Sequence, residues 1–449
     1  MLTAARLGAV ALTAAVLTGT AAPAFAATAS PSGSASPYAL VTAPATDSVL
    51  AAAAAAASAS ATPSAPASAA LPAGLYGQAD PTYDGVFRQG LSLLALHTEG
   101  ITPAASAVDW LTGQQCADGG WPSYNPTPAK ACSAAAEDTN ATSMAVQALV
   151  ALGGHDSAVA KAVAWYKQVQ NNDGGWSYNP GTASDANSTG LVVSALLAAK
   201  ADPATVVKGG HSAIAGLDSF QLGCSAPKAD QGAFAYQPNK NGSLTANNAA
   251  SVQAALAIGG GFLPVTDPAA ASSAQPSATC SDAMRSASQY LSAQLGADGG
   301  HLTAPLAGSS TPAPDYNDTA WAALSLANNG WPAPAKTAVE WLRQNGEAWI
   351  QGSTGQASPA ALALLILDAK ATGLDPHSFG TTDLVSQLVA TGPTPAAVPA
   401  ASAATGAPTA AAKKSGSGGP NWLIFGVLFV AAVGGGILIS YNRAKGKRS

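Results

Sequence analysis

Trp110-Leu111-Thr112-Gly113-Gln114-Gln115-Cys116-Ala117-Asp118-Gly119-Gly120-Trp121 returns as Trp165-Tyr166-Lys167-Gln168-Val169-Gln170-Asn171-Asn172-Asp173-Gly174-Gly175-Trp176. Weaker copies are Asp230-Gln231-Gly232-Ala233-Phe234 and Ala297-Asp298-Gly299-Gly300-His301, which place Phe234 and His301 at the tryptophan position. A second string follows each copy: Asp138-Thr139-Asn140-Ala141-Thr142, Asp185-Ala186-Asn187-Ser188-Thr189, Thr245-Ala246-Asn247-Asn248-Ala249 and Asp315-Tyr316-Asn317-Asp318-Thr319. Self-similarity at this spacing marks a repeat architecture. Asp84 before Val86–Leu96 and Ser358 before Ala360–Leu367 fit the same frame, which makes six units.

Each unit reads as an inner helix, a link, an outer helix and a glycine loop. The inner helix is apolar almost all round, as in Leu191-Val192-Val193-Ser194-Ala195-Leu196-Leu197, and must be buried. The outer one, such as Lys161–Gln168, keeps a polar face. Glycine ends the outer helix because it adopts positive φ at little cost. Asp or Asn then caps the next inner helix. The expected fold is all-α, a single (α/α)6 toroid over residues 75–390; an open solenoid is the alternative, but unrelieved apolar inner helices favour closure.

The flanks of that domain read differently. Arg6, the apolar run Leu7–Leu17 and Ala24-Phe25-Ala26 form a secretory signal peptide, residues 1–26. Residues 27–74 are an Ala/Ser/Pro-rich linker, and residues 391–420 a Pro/Ala/Gly-rich stalk; both lack the large apolar side chains of a core. Asn421–Tyr441 is uncharged and long enough to span a bilayer, and the 442–449 tail carries Arg443, Lys445, Lys447 and Arg448. The expected address is a single-pass type I membrane protein with the toroid outside. Only 10% of the 449 residues are charged and the net charge is −5, so no basic surface for nucleic acid is expected. Four cysteines in an exported chain suggest two disulfides. Three pairings are possible, and proximity favours Cys116–Cys132 and Cys224–Cys280. No C-x2–4-C pair of the structural zinc type occurs, and no metal site is expected.

The repeats resemble the QW repeats of the terpene cyclase and prenyltransferase toroid superfamily, over about 310 residues. Squalene–hopene-type cyclases carry a proton-donating aspartic acid in D-x-D-D-T-A. The matching string is Asp315-Tyr316-Asn317-Asp318-Thr319-Ala320, with Asn317 at the acid's position. An amide cannot donate that proton, so the resemblance implies loss of that initiation, with Asp315 and Asp318 as the remaining acid–base pair. The D-x-C zinc pair of protein prenyltransferases is absent, and so is the GCGEQ thioester string of complement-like toroids. Asn317–Leu326 is similar to the inner-helix signature of the intrinsic factor and transcobalamin toroids, which implies a binder with no required cofactor.

Chain direction puts every glycine loop and every inner-helix N-terminus at one end. The polar ring expected there comprises Asp138, Asn140, Asp185, Asn187, Asn247, Asn248, Asp315, Asn317 and Asp318. Tyr124, Tyr178 and Tyr236 recur beside it, and His301 is a candidate axial ligand. Amides that both donate and accept suit a large amide-studded ligand. The expectation is capture of a cobalamin-like corrinoid for an uptake transporter. The alternatives are an enzyme acting on a polyprenyl lipid and a structural or partner-binding wall protein.

Overall fold

The computed structural model describes residues 72–128, 132–266, 280–305, 311–352 and 355–399. The signal peptide, nearly all of the 27–74 linker, the stalk beyond residue 399, the 421–441 span and the tail lie outside the described residues. Among the described residues no helix is long and apolar enough to cross a membrane.

Helices come in inner–outer pairs: α1 (Gly85–Thr98) and α2 (Ala105–Gly113), α3 (Thr139–Leu152) and α4 (Asp156–Val169), α5 (Ala186–Ala198) and α6 (Ala213–Asp218). They continue as α7 (Asn248–Ile258) and α8 (Ala283–Ala297), then α9 (Tyr316–Asn328) and α10 (Pro332–Asn345). The short α11 (Glu347–Gln351) precedes α12 (Pro359–Thr372) and α13 (Leu384–Ala390). Two small antiparallel hairpins interrupt the series, β1 (Val207–Lys208) with β2 (His211–Ser212), and β3 (Leu302–Ala304) with β4 (Ala313–Asp315).

Inner helices α1, α3, α5, α7, α9 and α12 pack each on the next, and α12 packs back on α1, so the ring closes. Their composition explains this. Nearly every side chain of α12 is buried, including Leu362, Leu364, Leu365, Ile366 and Leu367. Outer helices bury only a stripe: α10 buries Ala335, Ala338, Val339 and Leu342 and leaves Lys336, Glu340 and Arg343 outside.

The glycine loops are locked by a bond pattern that repeats four times. The backbone N–H groups of Trp121, Trp176, Phe234 and Leu302 donate to the hydroxyls of Thr142, Thr189, Ser251 and Thr319. The loop glycine has φ of +114° at Gly119 and +85° at Gly174. A Cβ at Gly119 would sit 2.4 Å from the Lys161 carbonyl oxygen, so only glycine fits against the next outer helix. Tryptophans 121 and 176 are fully buried, and their indole N–H groups donate to the carbonyls of Leu111 and Tyr166. They brace the wall.

The opposite end of the ring is sealed. After α7 the chain turns inward, with Leu263 buried. Its N–H donates to Gln147 on α3, while Gly261 accepts from Ser194 on α5 and Gly259 from Asn328 on α9. Pro264 and Val265 lie beside His97 and Thr98 of α1 and Lys370 of α12.

Both disulfides pair as proximity suggested, Cys116 with Cys132 and Cys224 with Cys280. The body extends beyond residue 390: Gly77 donates to Thr391, and Ala396 donates to Thr102. The first residues expected in the stalk therefore lie on the body.

Candidate functional site

Inner-helix N-termini gather at the end that carries the glycine loops. Asp138, Asp185, Asn247, Asp315 and Ser358 cap α3, α5, α7, α9 and α12, accepting from backbone N–H groups two or three residues on. Asp84 pairs instead with Arg88 at 2.7 Å. These caps fix the register between units, and the register corrects two sequence assignments. Asn247 stands where Asp138 and Asp185 stand, as a cap, so Ala249 occupies the place of Asn140 and Asn187. Leu302, whose N–H bonds Thr319, occupies the place of Trp121 and Trp176. His301 falls one residue earlier, opposite Gly120. In the first unit a Cβ at Gly120 would meet the Trp165 ring at 2.6 Å. In the fourth unit the His301 ring stacks on Trp341 at 4.1 Å. The imidazole is thus packed against the outer helix and does not head the mouth as the axial-ligand expectation required.

The first two units close over their caps. Asp138 and Asp185 are buried and satisfied as caps, with Asp138 also accepting from Ser123 at 2.6 Å. Burial pushes the Asp138 carboxyl up, and that of Asp185 up to about 6. Asn140 is buried and donates to Asn187. The tyrosines serve the wall. Tyr124 stacks on Trp110, and Tyr178 shares a hydrogen bond with Ser123. Their loops clasp neighbouring units: Val86 donates to the carbonyl of Ser123, Thr139 to that of Tyr178, and Ala186 to that of Tyr236. Burial raises Tyr178, and Tyr236 to about 12, so both stay neutral donors.

Between α7, α8 and α9 the mouth opens into a cleft of about 450 Å³. Of the expected ring, Asn187, Asn247, Asn248, Asp315, Asn317 and Asp318 line it. Asp138, Asn140, Asp185, the three tyrosines and His301 do not. Asp230, from a glycine-loop copy, joins the lining, as do Gln253, Tyr290, Gln294 and Thr303, which the repeat strings do not contain. Gln253 had a readable signal, as a single amide inside the apolar run Ala249–Ile258. Its side-chain oxygen accepts a close hydrogen bond from Asn187. Tyr290 takes the outer-helix place of Trp165, and its hydroxyl donates to Asn248 at 2.7 Å. Burial lifts Tyr290 to about 12, with Asp230 adding to the shift.

Asp315 caps α9 through the N–H of Asp318 at 2.9 Å. The Asp318 carboxylate accepts from Asn317 at 3.3 Å. Burial raises both carboxyls, Asp318 the more, since Asp315 adds like-charge repulsion. In this corner of the cleft the protonated form is favoured more at Asp318 than at Asp315. Among the described lining residues none is Lys, Arg or His. Phosphate and carboxylate groups are usually held by guanidinium or ammonium. The cleft therefore suits uncharged or cationic hydrogen-bonding groups.

One family model agrees with the repeat. Residues 88–185 match the family model of the squalene-hopene cyclase C-terminal domain. The match supports the terpene cyclase/prenyltransferase toroid superfamily over the first units. No curated protein matches the chain. Among solved structures, ent-copalyl diphosphate synthase from Streptomyces platensis is 16% identical, with a TM-score of 0.41, covering 64% of this chain and 50% of its own. This chain thus spans about half the length of that synthase. A protein from Actinoplanes is 13% identical with the same TM-score, covering 67% of this chain and 92% of its own.

Proposed function

We propose that the ring is a small-molecule binder whose site is the cleft at the N-terminal ends of α7 and α9. The observation that carries this reading is the lining: amides, one phenol and three aspartates without a basic side chain. Asn and Gln each donate and accept, so the site matches amide and hydroxyl groups and disfavours phosphates. The volume lies within the range of small-molecule sites. A cobalamin-like corrinoid is the first ligand to test, with its amide side chains rather than its whole ring seated in the cleft. In this reading the toroid is held outside the cell by the 421–441 span and passes its ligand to an uptake transporter. Titration with cobalamin, followed by visible absorption and by heat, tests it. Saturable binding abolished by Asn317→Ala is the expected result. No binding at ~100 μM, weaker than about 5.5 kcal/mol, removes corrinoids from consideration.

A second reading rests on Asp315 and Asp318. The family match supports an enzyme-like protein at the superfamily level. A buried acid that keeps its proton can act as general acid on a polyprenyl substrate. Turnover of such a substrate, lost in Asp318→Asn, would favour this reading over simple binding.

A further inference from the structure

The Cys116–Cys132 bridge has a neighbour that the Cys224–Cys280 bridge lacks among the described residues. A carboxylate oxygen of Glu137 lies within 4.8 Å of both sulfurs. Glu137 is buried, 2% exposed, immediately before the Asp138 cap. Its carboxylate accepts from the Trp165 indole N–H at 2.9 Å, and the Asp118 carboxyl is near enough to act on its charge. The Asn125 amide points at the Cys132 sulfur from 4.0 Å. Two sulfurs, two carboxyl groups, and outer donors that orient one carboxylate and one sulfur are the parts of a tetrahedral metal centre. Chain spacing hides it, because the cysteines are 16 residues apart.

We propose that the reduced Cys116–Cys132 pair binds a zinc-type divalent cation with Glu137 and Asp118, so that these sulfurs form either a disulfide or a metal site. The Cα atoms are 5.6 Å apart, which lets both sulfurs reach one ion. Cys132 is half-buried and Cys116 buried, so a reductant meets Cys132 first. A dithiol supplies two electrons and two protons to the S–S bond and becomes its own disulfide. Each new thiol then gives its proton to water as the sulfur takes the metal. Thiolate ligands favour zinc over calcium or magnesium. Metal and disulfide exclude one another, so occupancy follows the redox state of the surroundings.

The test uses the full chain, reduced with a phosphine that carries no sulfur and becomes the phosphine oxide with one water. Co²⁺ is the probe. The expected result is one equivalent bound, with the intense visible bands of tetrahedral cobalt thiolate, displaced by Zn²⁺ and absent before reduction. Cys224→Ser should leave the bands unchanged. Cys132→Ser should abolish them, and Glu137→Gln should weaken binding by at least ~10-fold. Bands that survive Cys132→Ser, or none in the reduced chain, overturn the proposal. Helical circular dichroism is followed in parallel. If reduction loosens the fold, Zn²⁺ must restore the signal, and failure to do so also overturns it.

Discussion

The second and fourth units share a backbone and differ in what fills it. In both, a threonine hydroxyl holds the loop N–H, Thr189 to Trp176 and Thr319 to Leu302. In both, an aspartate caps the inner helix, Asp185 and Asp315. The second unit then inserts an indole, bonds it to Tyr166 and closes over its cap. The fourth substitutes leucine, adds the β3–β4 hairpin and leaves Asp315, Asn317 and Asp318 on a cleft. Hydroxyl-to-backbone bonds thus preserve the frame while side-chain volume is withdrawn. Decay of the repeat coincides with the opening.

The largest effect expected concerns filling. Trp176→Ala should cost about 4 kcal/mol and Leu302→Ala about 3 in urea unfolding, since the larger side chain leaves the larger cavity. An equal loss at both would mean that leucine braces its unit as well as tryptophan does. Next comes the shared frame. Thr189→Val and Thr319→Val each leave a buried N–H without an acceptor, and each should cost about 1–3 kcal/mol. A loss confined to Thr189 would break the equivalence of the two units.

The third prediction uses pH. Asp185 binds its proton more tightly folded, near pH 6, than unfolded, near ~3.9. Folding stability therefore falls as pH rises between these values and levels off above them. Asp185→Asn keeps a capping oxygen and should flatten that fall, as measured by urea midpoints from pH 4 to 7. Asp318→Asn should act in the same direction, because burial also raises its carboxyl. The smallest stability change is expected at the rim. Replacing Asn187 and Asn317 by Ala should shift the urea midpoint less than Trp176→Ala does, while abolishing ligand binding at the cleft. Unchanged affinity would remove the amide rim from the site.

Much of this was legible beforehand, and the parts that were not have physical reasons. Apolar periodicity and caps predicted the helices, because burial and orphaned N–H groups act locally. The disulfides followed from proximity. Register in the third and fourth units did not follow. Asp-Gly-Gly-His imitates Asp-Gly-Gly-Trp in letters, but Gly300, at φ +105°, is the residue that turns. The conformation moves the tryptophan place to Leu302. Asn247 misled for a related reason, since Asn caps as readily as Asp. Gln253 and Tyr290 come from different helices, and only packing brings them to one cleft.

The inward turn of Gly259–Val265 makes the ring a cup rather than a pipe. A ligand held in the cleft between α7, α8 and α9 enters and leaves at the mouth, so capture and release share one route and one set of desolvation steps.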